Sequence, residues 1–375
     1  MAASPSSSKS KVFSLEERKI QAHKLCGEYL GGSWSEVSLN EFGFKVLTGG
    51  LSNEIFICNL PEHFAENKQE VRKVLFRIYG RLVGKLISNI HSLVAENVVF
   101  ALLAEKKIAP KLYAIFPEGR LEEFLQAKSL TVAEIRSAEN SVKIARKLRE
   151  FHGLSLPLGK NPKWFWERCE SLMRDAEIFS NENSEDALRL KKFFKTFDAD
   201  NEYKIMRNIA ESKAGPILFC HQDIQEGNIL SVPRDVDNEG QQQYDLLFID
   251  YEYCGYNYRG FDLANHFNEW MWDYKHEEAP YYLYNPELFP SLEQQLLFIR
   301  TYLGEQTNCH SQDKISPKEQ ELLDEVQRFA LVSNFFWGMW SVVQAKMSNI
   351  EFGYLEYAFT RFDSYRRQKK KLGLE

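Results

Sequence analysis

The residues best suited to chemistry lie in one stretch, Ile217-Leu218-Phe219-Cys220-His221-Gln222-Asp223-Ile224-Gln225-Glu226-Gly227-Asn228-Ile229-Leu230. A short apolar run enters a polar turn, and a second apolar run leaves it at once. Asp245-Leu246-Leu247-Phe248-Ile249-Asp250-Tyr251 follows as another strand-like segment that ends on a carboxylate. Asn228 stands five residues after Asp223, and Asp250 stands 22 residues after Asn228. An alcohol attacking the γ-phosphoryl of ATP must lose a proton, and Asp223 on its loop is the carboxylate to receive or orient it. Asn228 and Asp250 are the hard oxygen donors that Mg²⁺ takes. His221 suits holding the loop better than moving a proton. A His-x-Asp triplet alone forms turns in many chains. The full set with both apolar flanks carries the reading.

This is the constellation of phosphotransferases built on the protein-kinase plan. That plan needs an N-terminal sheet for the nucleotide and a helical part for the acceptor. Residues 1–13 read as a disordered arm and 14–117 as an ATP-binding lobe. Ser14 and Glu17 form a capping box at the start of a helix over 14–30. Phe42 to Cys58 alternates as a hairpin whose tip is Thr48, Gly49, Gly50, Leu51, Ser52, Asn53 and Glu54. Its glycines permit close approach of backbone N–H groups to phosphate. The tip is neither a Gly-x-Gly-x-x-Gly loop nor a Walker loop.

Val71 to Gly80 is a third strand, with Arg77 inside an apolar run where a guanidinium needs a partner. Glu96, on a helix over 88–106, is the partner expected on the kinase plan; a surface ion pair of little consequence is the alternative. Pro110 to Pro117 reads as a further strand. Glu118, Gly119, Arg120, Leu121, Glu122, Glu123 and Phe124 break the pattern and read as a hinge offering backbone groups to adenine. Residues 125–375 then form a C-terminal lobe, with helices over 131–152, 163–180 and 184–212. Pro233 to Gln243 reads as an exposed hairpin tip, and His152 as a packed helix-end histidine.

The chain has 375 residues, 27% charged and 44% hydrophobic, enough for one large domain or two lobes with a sizeable core. A net charge of -6 and a pI near 5.9 argue against nucleic acid as the main partner. No apolar run is long enough to span a membrane, and the first residues lack the core of a signal peptide. Six cysteines without metal-type spacing read as free thiols of a reducing cytosol.

Aromatic residues gather late in the chain. Trp337, Trp340 and Gln344 share a helix face, and Phe352 and Tyr357 follow. Core packing is one reading. A cage that holds a quaternary ammonium by cation–π attraction, with Glu269 and Asp273 as acidic neighbours, is the other.

The motifs together resemble the choline/ethanolamine kinases, and the choline kinases most. The resemblance rests on Gly49-Gly50-Leu51-Ser52-Asn53, Leu75 to Gly80, Phe116 to Glu122, His221 to Leu230, Ile249-Asp250-Tyr251-Glu252-Tyr253, Tyr256 to Asp262, and Trp337 through Tyr357. It implies an α+β, protein-kinase-like two-lobed fold, with a small N-terminal lobe on an antiparallel sheet and a larger, mostly helical C-terminal lobe. It also implies phosphorylation of choline by ATP with Mg²⁺, the first step of the CDP-choline route to phosphatidylcholine. On that resemblance Asp223 is catalytic, Asn228 and Asp250 bind magnesium, and residues 48–54, Arg77, residues 118–124 and Gln225 serve ATP. Glu269, Tyr274, Trp337, Trp340, Phe352 and Tyr357 line the choline pocket. A cytoplasmic homodimer is implied too. Gln222, Trp272 and Tyr281 depart from the family's usual residues and bear on choline against ethanolamine. An ethanolamine or aminoglycoside kinase and a non-catalytic scaffold are the competing readings. Arg361, Arg366, Arg367 and Lys369 to Lys371 read as a solvated helix end, with a membrane-surface role as the alternative.

Overall fold

The computed structural model describes residues 13–47, 53–64, 70–79, 90–212, 215–236, 242–305, 314–348 and 350–374. The hairpin tip at Thr48, Gly49, Gly50, Leu51 and Ser52 lies outside them. The chain divides into two compact units, Met1–Gly80 with Pro110–Leu125, and Arg81–Ala109 with Gln126–Glu375.

The first unit is built on a five-stranded antiparallel sheet in the order β1 (Gly43–Leu47), β2 (Glu54–Asn59), β3 (Lys73–Ile78), β5 (Gly119–Glu123), β4 (Leu112–Phe116). One face carries a run of phenylalanines. Phe44 stacks on Phe56 at 4.7 Å, Phe56 meets Phe76 at 6.0 Å, and Phe76 stacks on Phe116 at 5.5 Å. Against this face lie Ala22 and Cys26 of the helix Leu15–Leu30, which starts at the expected Ser14–Glu17 capping box.

The other face buries charge. Arg77 stands directly opposite Arg120 across β3 and β5, a pairing that repels. Glu122, two residues on and therefore on the same face, resolves it. Its Oε1 accepts from Arg77 Nε and from Arg120 Nε, both at 2.7 Å, and all three residues are at most 4% exposed. Burial pushes the Glu122 carboxyl upward, but the two guanidinium groups outweigh it and hold it below the usual carboxylate value.

The segment that carries this triad differs in backbone from the sequence reading. The expected hinge at 118–124 is mostly strand, bonded on both sides to β3 and β4, because Arg120 and Glu122 are needed inside the sheet. Arg77 pairs with Glu122 within its own unit.

The second unit is mostly helical. Its axis is Pro317–Met347, with Pro317 in its first turn and a Ser316–Glu319 capping box. This helix is buried on every side from Phe329 to Gln344 and packs against Arg259–Glu269 and Tyr354–Lys371. The expected helices over 131–152 and 184–212 are each broken. Ser137 caps a new helix, Ala138–His152, and the second segment parts into Glu185–Phe194 and Ala199–Ser212.

Three small sheets frame the catalytic stretch: β7 (Ile217–Cys220) with β10 (Gly255–Tyr258); β6 (Lys128–Ser129) with β8 (Ile229–Val236) and β9 (Gln242–Phe248); and β11 (Trp272–Asp273) with β12 (Leu283–Tyr284). Pro233 is therefore in a strand rather than a turn. It pairs with Tyr244 just before the ladder shifts register, a place where a missing N–H is tolerated. Among the described residues Cys26, Cys58, Cys169, Cys220 and Cys254 are free thiols, and no helix is long and apolar enough to cross a membrane.

Candidate active site

The catalytic loop is fixed from behind by one buried carboxylate. Asp262 Oδ2 accepts from the His221 backbone N–H at 2.7 Å, and Oδ1 accepts from that of Gln222 at 2.6 Å. Oδ2 also meets His152 Nε2 at 3.0 Å, and His152 Nδ1 meets the Tyr302 hydroxyl at 2.7 Å. His152, Cys220 and Asp262 lie close enough to suggest a metal trio, yet both Asp262 oxygens are already taken by the loop.

Held this way, Gln222 adopts φ +72°, a left-handed backbone that non-glycine residues rarely take. Its side chain turns away from Asp223, donating to the Tyr253 carbonyl at 2.6 Å and accepting from Asn257 at 2.8 Å. His221 sits beneath the loop. Burial lowers its pKa, so the ring is neutral and Nε2 donates to the Ile249 carbonyl at 3.0 Å. Nδ1 faces the Asp223 N–H at 3.4 Å. Both ring nitrogens thus face backbone groups of the loop and of the strand beside it.

Asp223, Asn228 and Asp250 are brought together by the β8–β9 ladder. Ile249 N donates to the Asn228 carbonyl at 3.0 Å, which places Asp250 beside Asn228. Asp250 itself has φ +65°. Asn228 Nδ2 donates to Asp223 Oδ2 at 2.7 Å and to its carbonyl at 3.0 Å. That fixes the amide orientation: nitrogen toward Asp223, oxygen left for another partner. Burial pushes the Asp223 carboxyl well above its ordinary value, aided by Glu269, Asp250 and Glu252 and opposed by the Asn228 bond. An oxygen-rich, net negative site of this kind suits a divalent cation. Gln225 is engaged locally, its Oε1 accepting from Gly227 N at 2.6 Å.

The aromatic residues form a continuous chain. Trp337 meets Trp340 at 5.4 Å, Trp340 meets Tyr354 at 6.1 Å, Tyr354 meets Phe352 at 4.9 Å, and Phe352 meets Tyr357 at 5.7 Å. Tyr253 ties this chain to the catalytic loop. Its hydroxyl accepts from Trp340 Nε1 at 2.8 Å, its ring meets Trp337 edge-on at 5.2 Å, and its carbonyl holds Gln222. Glu269 is buried there. Tyr274 donates to its Oε2 at 2.7 Å, and Arg361 pairs with its Oε1 at 2.5 Å. Trp272 is fully buried against Tyr357 at 4.5 Å, and Tyr281 bonds Glu351 at 2.6 Å.

Arg361 corrects the reading of the last helix. It is not part of a solvated end: it is 1% exposed, with its guanidinium 4.4 Å above Trp272 and 4.9 Å from Tyr357. Asp262, Tyr253 and Arg361 were not singled out as site residues. The signal for Asp262 and Glu269 lies in the helix Arg259–Glu269. Polar Asp262, Asn265, His266, Asn268 and Glu269 gather on one broad side of it, yet Gly260 to Glu269 are all buried.

The Cryptosporidium parvum choline kinase crystal structure superposes with a TM-score of 0.72 at 27% identity, covering 94% of this chain and 96% of that one. The fold is thus that of the protein-kinase-like small-molecule phosphotransferases. A family model described as choline/ethanolamine kinase matches residues 44–366, and the chain belongs to that family. A Homo sapiens choline/ethanolamine kinase is 43% identical over 356 residues, 94% of this chain and 86% of that protein. A Mus musculus choline kinase alpha is 40% identical over 373 residues, 94% of this chain and 81% of its own length.

Proposed function

We propose that this protein phosphorylates choline with ATP, giving phosphocholine and ADP. The observation that carries the reading is Tyr253, which joins the loop bearing Asp223 to the Trp337–Trp340 pair. The acceptor hydroxyl lies at Asp223 and the cationic head against the aromatic faces, where cation–π attraction holds it. The choline oxygen bonds to the γ-phosphorus as the bond to the bridging oxygen breaks. Asp223 orients the hydroxyl and takes its proton late, as a loose transition state requires.

Asn228 and Asp250 would hold magnesium, since the Asn228 amide nitrogen is committed to Asp223 and its oxygen is not. Bound there, magnesium neutralises charge on the phosphate oxygens. Residues 48–54, Arg77, Glu96 and the segment Glu118–Phe124 serve the nucleotide in this reading, with Gln225. A cytoplasmic homodimer goes with it, and sedimentation would test the dimer.

The deciding experiment is a coupled ADP-release assay with Mg-ATP, with choline and ethanolamine run side by side on wild type and Asp223→Ala. Choline-dependent turnover is expected, falling by about 10²–10⁴ in the variant. Turnover with ethanolamine alone would overturn the aromatic-pocket assignment. Turnover with neither would leave a non-catalytic scaffold.

A further inference from the structure

The catalytic loop and the tryptophan pair are held by the same helix, Arg259–Glu269. Asp262 accepts from the backbone N–H groups of His221 and Gln222, just ahead of Asp223. One turn on, His266 Nδ1 donates to the carbonyl of Ile224, just behind Asp223, at 3.0 Å. A carbonyl only accepts, and Trp270 Nε1 donates to the other ring nitrogen at 3.3 Å, so the ring is neutral with its proton on Nδ1. Asp223 is thus bracketed by two residues from one side of this helix.

Asn265 stands on that same side, between Asp262 and His266 in sequence. Its Oδ1 accepts twice from the helix Pro317–Met347: from Trp337 Nε1 at 2.8 Å and from Ser333 Oγ at 2.7 Å. Asn265 and Ser333 are 0% exposed, whereas Trp337 is 6% exposed. An indole N–H can only donate, so the amide oxygen must face it. The amide nitrogen then meets no acceptor among the described residues. The orientation is kept at a cost in stability, and such a group calls for an explanation.

In the reading above, the acceptor hydroxyl lies at Asp223 and the cationic head against Trp337. Both ends are then set from one rigid element, the first by Asp262 and His266 and the second by Asn265. We infer that Asn265 is a positioning residue that fixes the Trp337 ring relative to Asp223 and so selects the spacing between the alcohol and ammonium groups of the substrate. This rests on the choline-kinase reading and adds to it a determinant of chain length. A ring tied at Nε1 stays at one distance from the loop, and a longer alcohol brings its hydroxyl out of line with the phosphoryl group. A released ring gives way to the longer chain.

The test measures kcat/KM with Mg-ATP for choline and for 3-hydroxypropyl-trimethylammonium, its homologue longer by a methylene. The proteins are wild type, Asn265→Leu, Ser333→Ala, Trp337→Phe and the double variant Asn265→Leu with Trp337→Phe. Wild type is expected to prefer choline by about tenfold or more. Asn265→Leu removes the acceptor and should lower that preference about fivefold, with KM for choline raised and KM for ATP within about twofold of wild type. Ser333→Ala frees the amide but leaves the Trp337 bond, and should lower the preference about two- to threefold. It keeps the inference testable where Asn265→Leu does not fold. The preference is a ratio and does not depend on the fraction of enzyme folded. Trp337→Phe has no N–H to hold, so adding Asn265→Leu to it should change the preference no further. A wild type that uses both alcohols equally overturns the inference. So does a wild-type preference in the folded Asn265 and Ser333 variants, or a full effect of Asn265→Leu beside Trp337→Phe. No turnover of choline by wild type sinks the choline-kinase reading itself, and this inference with it.

Discussion

Arg361 and Glu269 form an ion pair of 2.5 Å that is buried on both sides. The pair joins the helix Tyr354–Lys371 to the end of the helix Arg259–Glu269, next to the aromatic chain. Its guanidinium is fully used: Nε donates to the Tyr357 hydroxyl at 2.8 Å, Nη1 donates to Asn334 at 3.2 Å, and the planar face lies on Trp272. Burial works against the charge on Arg361, but Glu269, Tyr357 and Tyr274 outweigh it and raise its pKa well above the ordinary value. Glu269 is thus a carboxylate whose charge is already shared.

Breaking this pair from one side strands the other charge. Glu269→Gln and Arg361→Met are each expected to cost about 3–5 kcal/mol of unfolding free energy. The double variant should cost less than the sum of the singles, with a coupling of about 2–3 kcal/mol in a urea-unfolding cycle. Additive losses would mean that the two charges act independently.

The Arg77–Glu122–Arg120 triad makes a second, pH-dependent prediction. The Glu122 carboxyl is held below its ordinary value by the two guanidinium groups. A depressed carboxylate contributes stability that is fully present above its unfolded pKa and disappears as pH falls through the folded value. Glu122→Gln should thus destabilise the protein by about 3–5 kcal/mol at pH 7. The gap between wild type and variant should begin to close below about pH 4, where carboxylates protonate in the unfolded chain. A gap constant from pH 7 to pH 3 would remove the charge from the explanation.

Asp262 offers a test of positioning. Asp262→Ala orphans the backbone N–H groups of His221 and Gln222 and releases the constraint on Gln222 at φ +72°. A loop free to relax misplaces Asp223, and a misplacement of about 1 Å can cost about 10²-fold in rate. The expected loss is in kcat, with KM for choline and ATP within about threefold of wild type. A rise in KM with kcat intact would place Asp262 in binding instead.

Local sequence was enough for several elements and for the turn that carries Asp223 and Asn228. The Ser14 cap, the β1–β2 hairpin and the helix Lys163–Ser180 follow from patterns a few residues long. The spacing of Asp223, Asn228 and Asp250 follows from the chemistry they share. What was not legible depends on burial of polar groups. Arg361 in Arg361-Phe362-Asp363-Ser364-Tyr365-Arg366-Arg367 looks like one more basic residue of a solvated end. Only the packing of Trp272 and Glu269 against it, from 89 and 92 positions away, places it inside. Arg120 and Glu122 likewise look like loop residues because charge in a strand normally faces water. Their mutual neutralisation with Arg77 comes from β3, over 40 positions earlier.

Trp340 distinguishes a binding aromatic from a core one. The residue is 6% exposed, its Nε1 donates to Tyr253, and its ring neighbours include Trp337 and Tyr354. A core role predicts that loss of volume lowers stability and leaves the substrates equally affected. A cation–π role predicts selectivity, because only the ammonium senses the ring. Trp340→Phe keeps an aromatic face and gives up the Tyr253 bond, so KM for choline should rise only about two- to threefold. Trp340→Leu removes the face and should raise KM for choline about tenfold or more, with KM for ATP within about twofold. Tyr253→Phe separates the two effects, since it breaks the same hydrogen bond without touching the tryptophan ring. It should match Trp340→Phe. Steady-state kinetics on the three variants decides the matter, and parallel rises in both KM values for Trp340→Leu would return the tryptophan to the core.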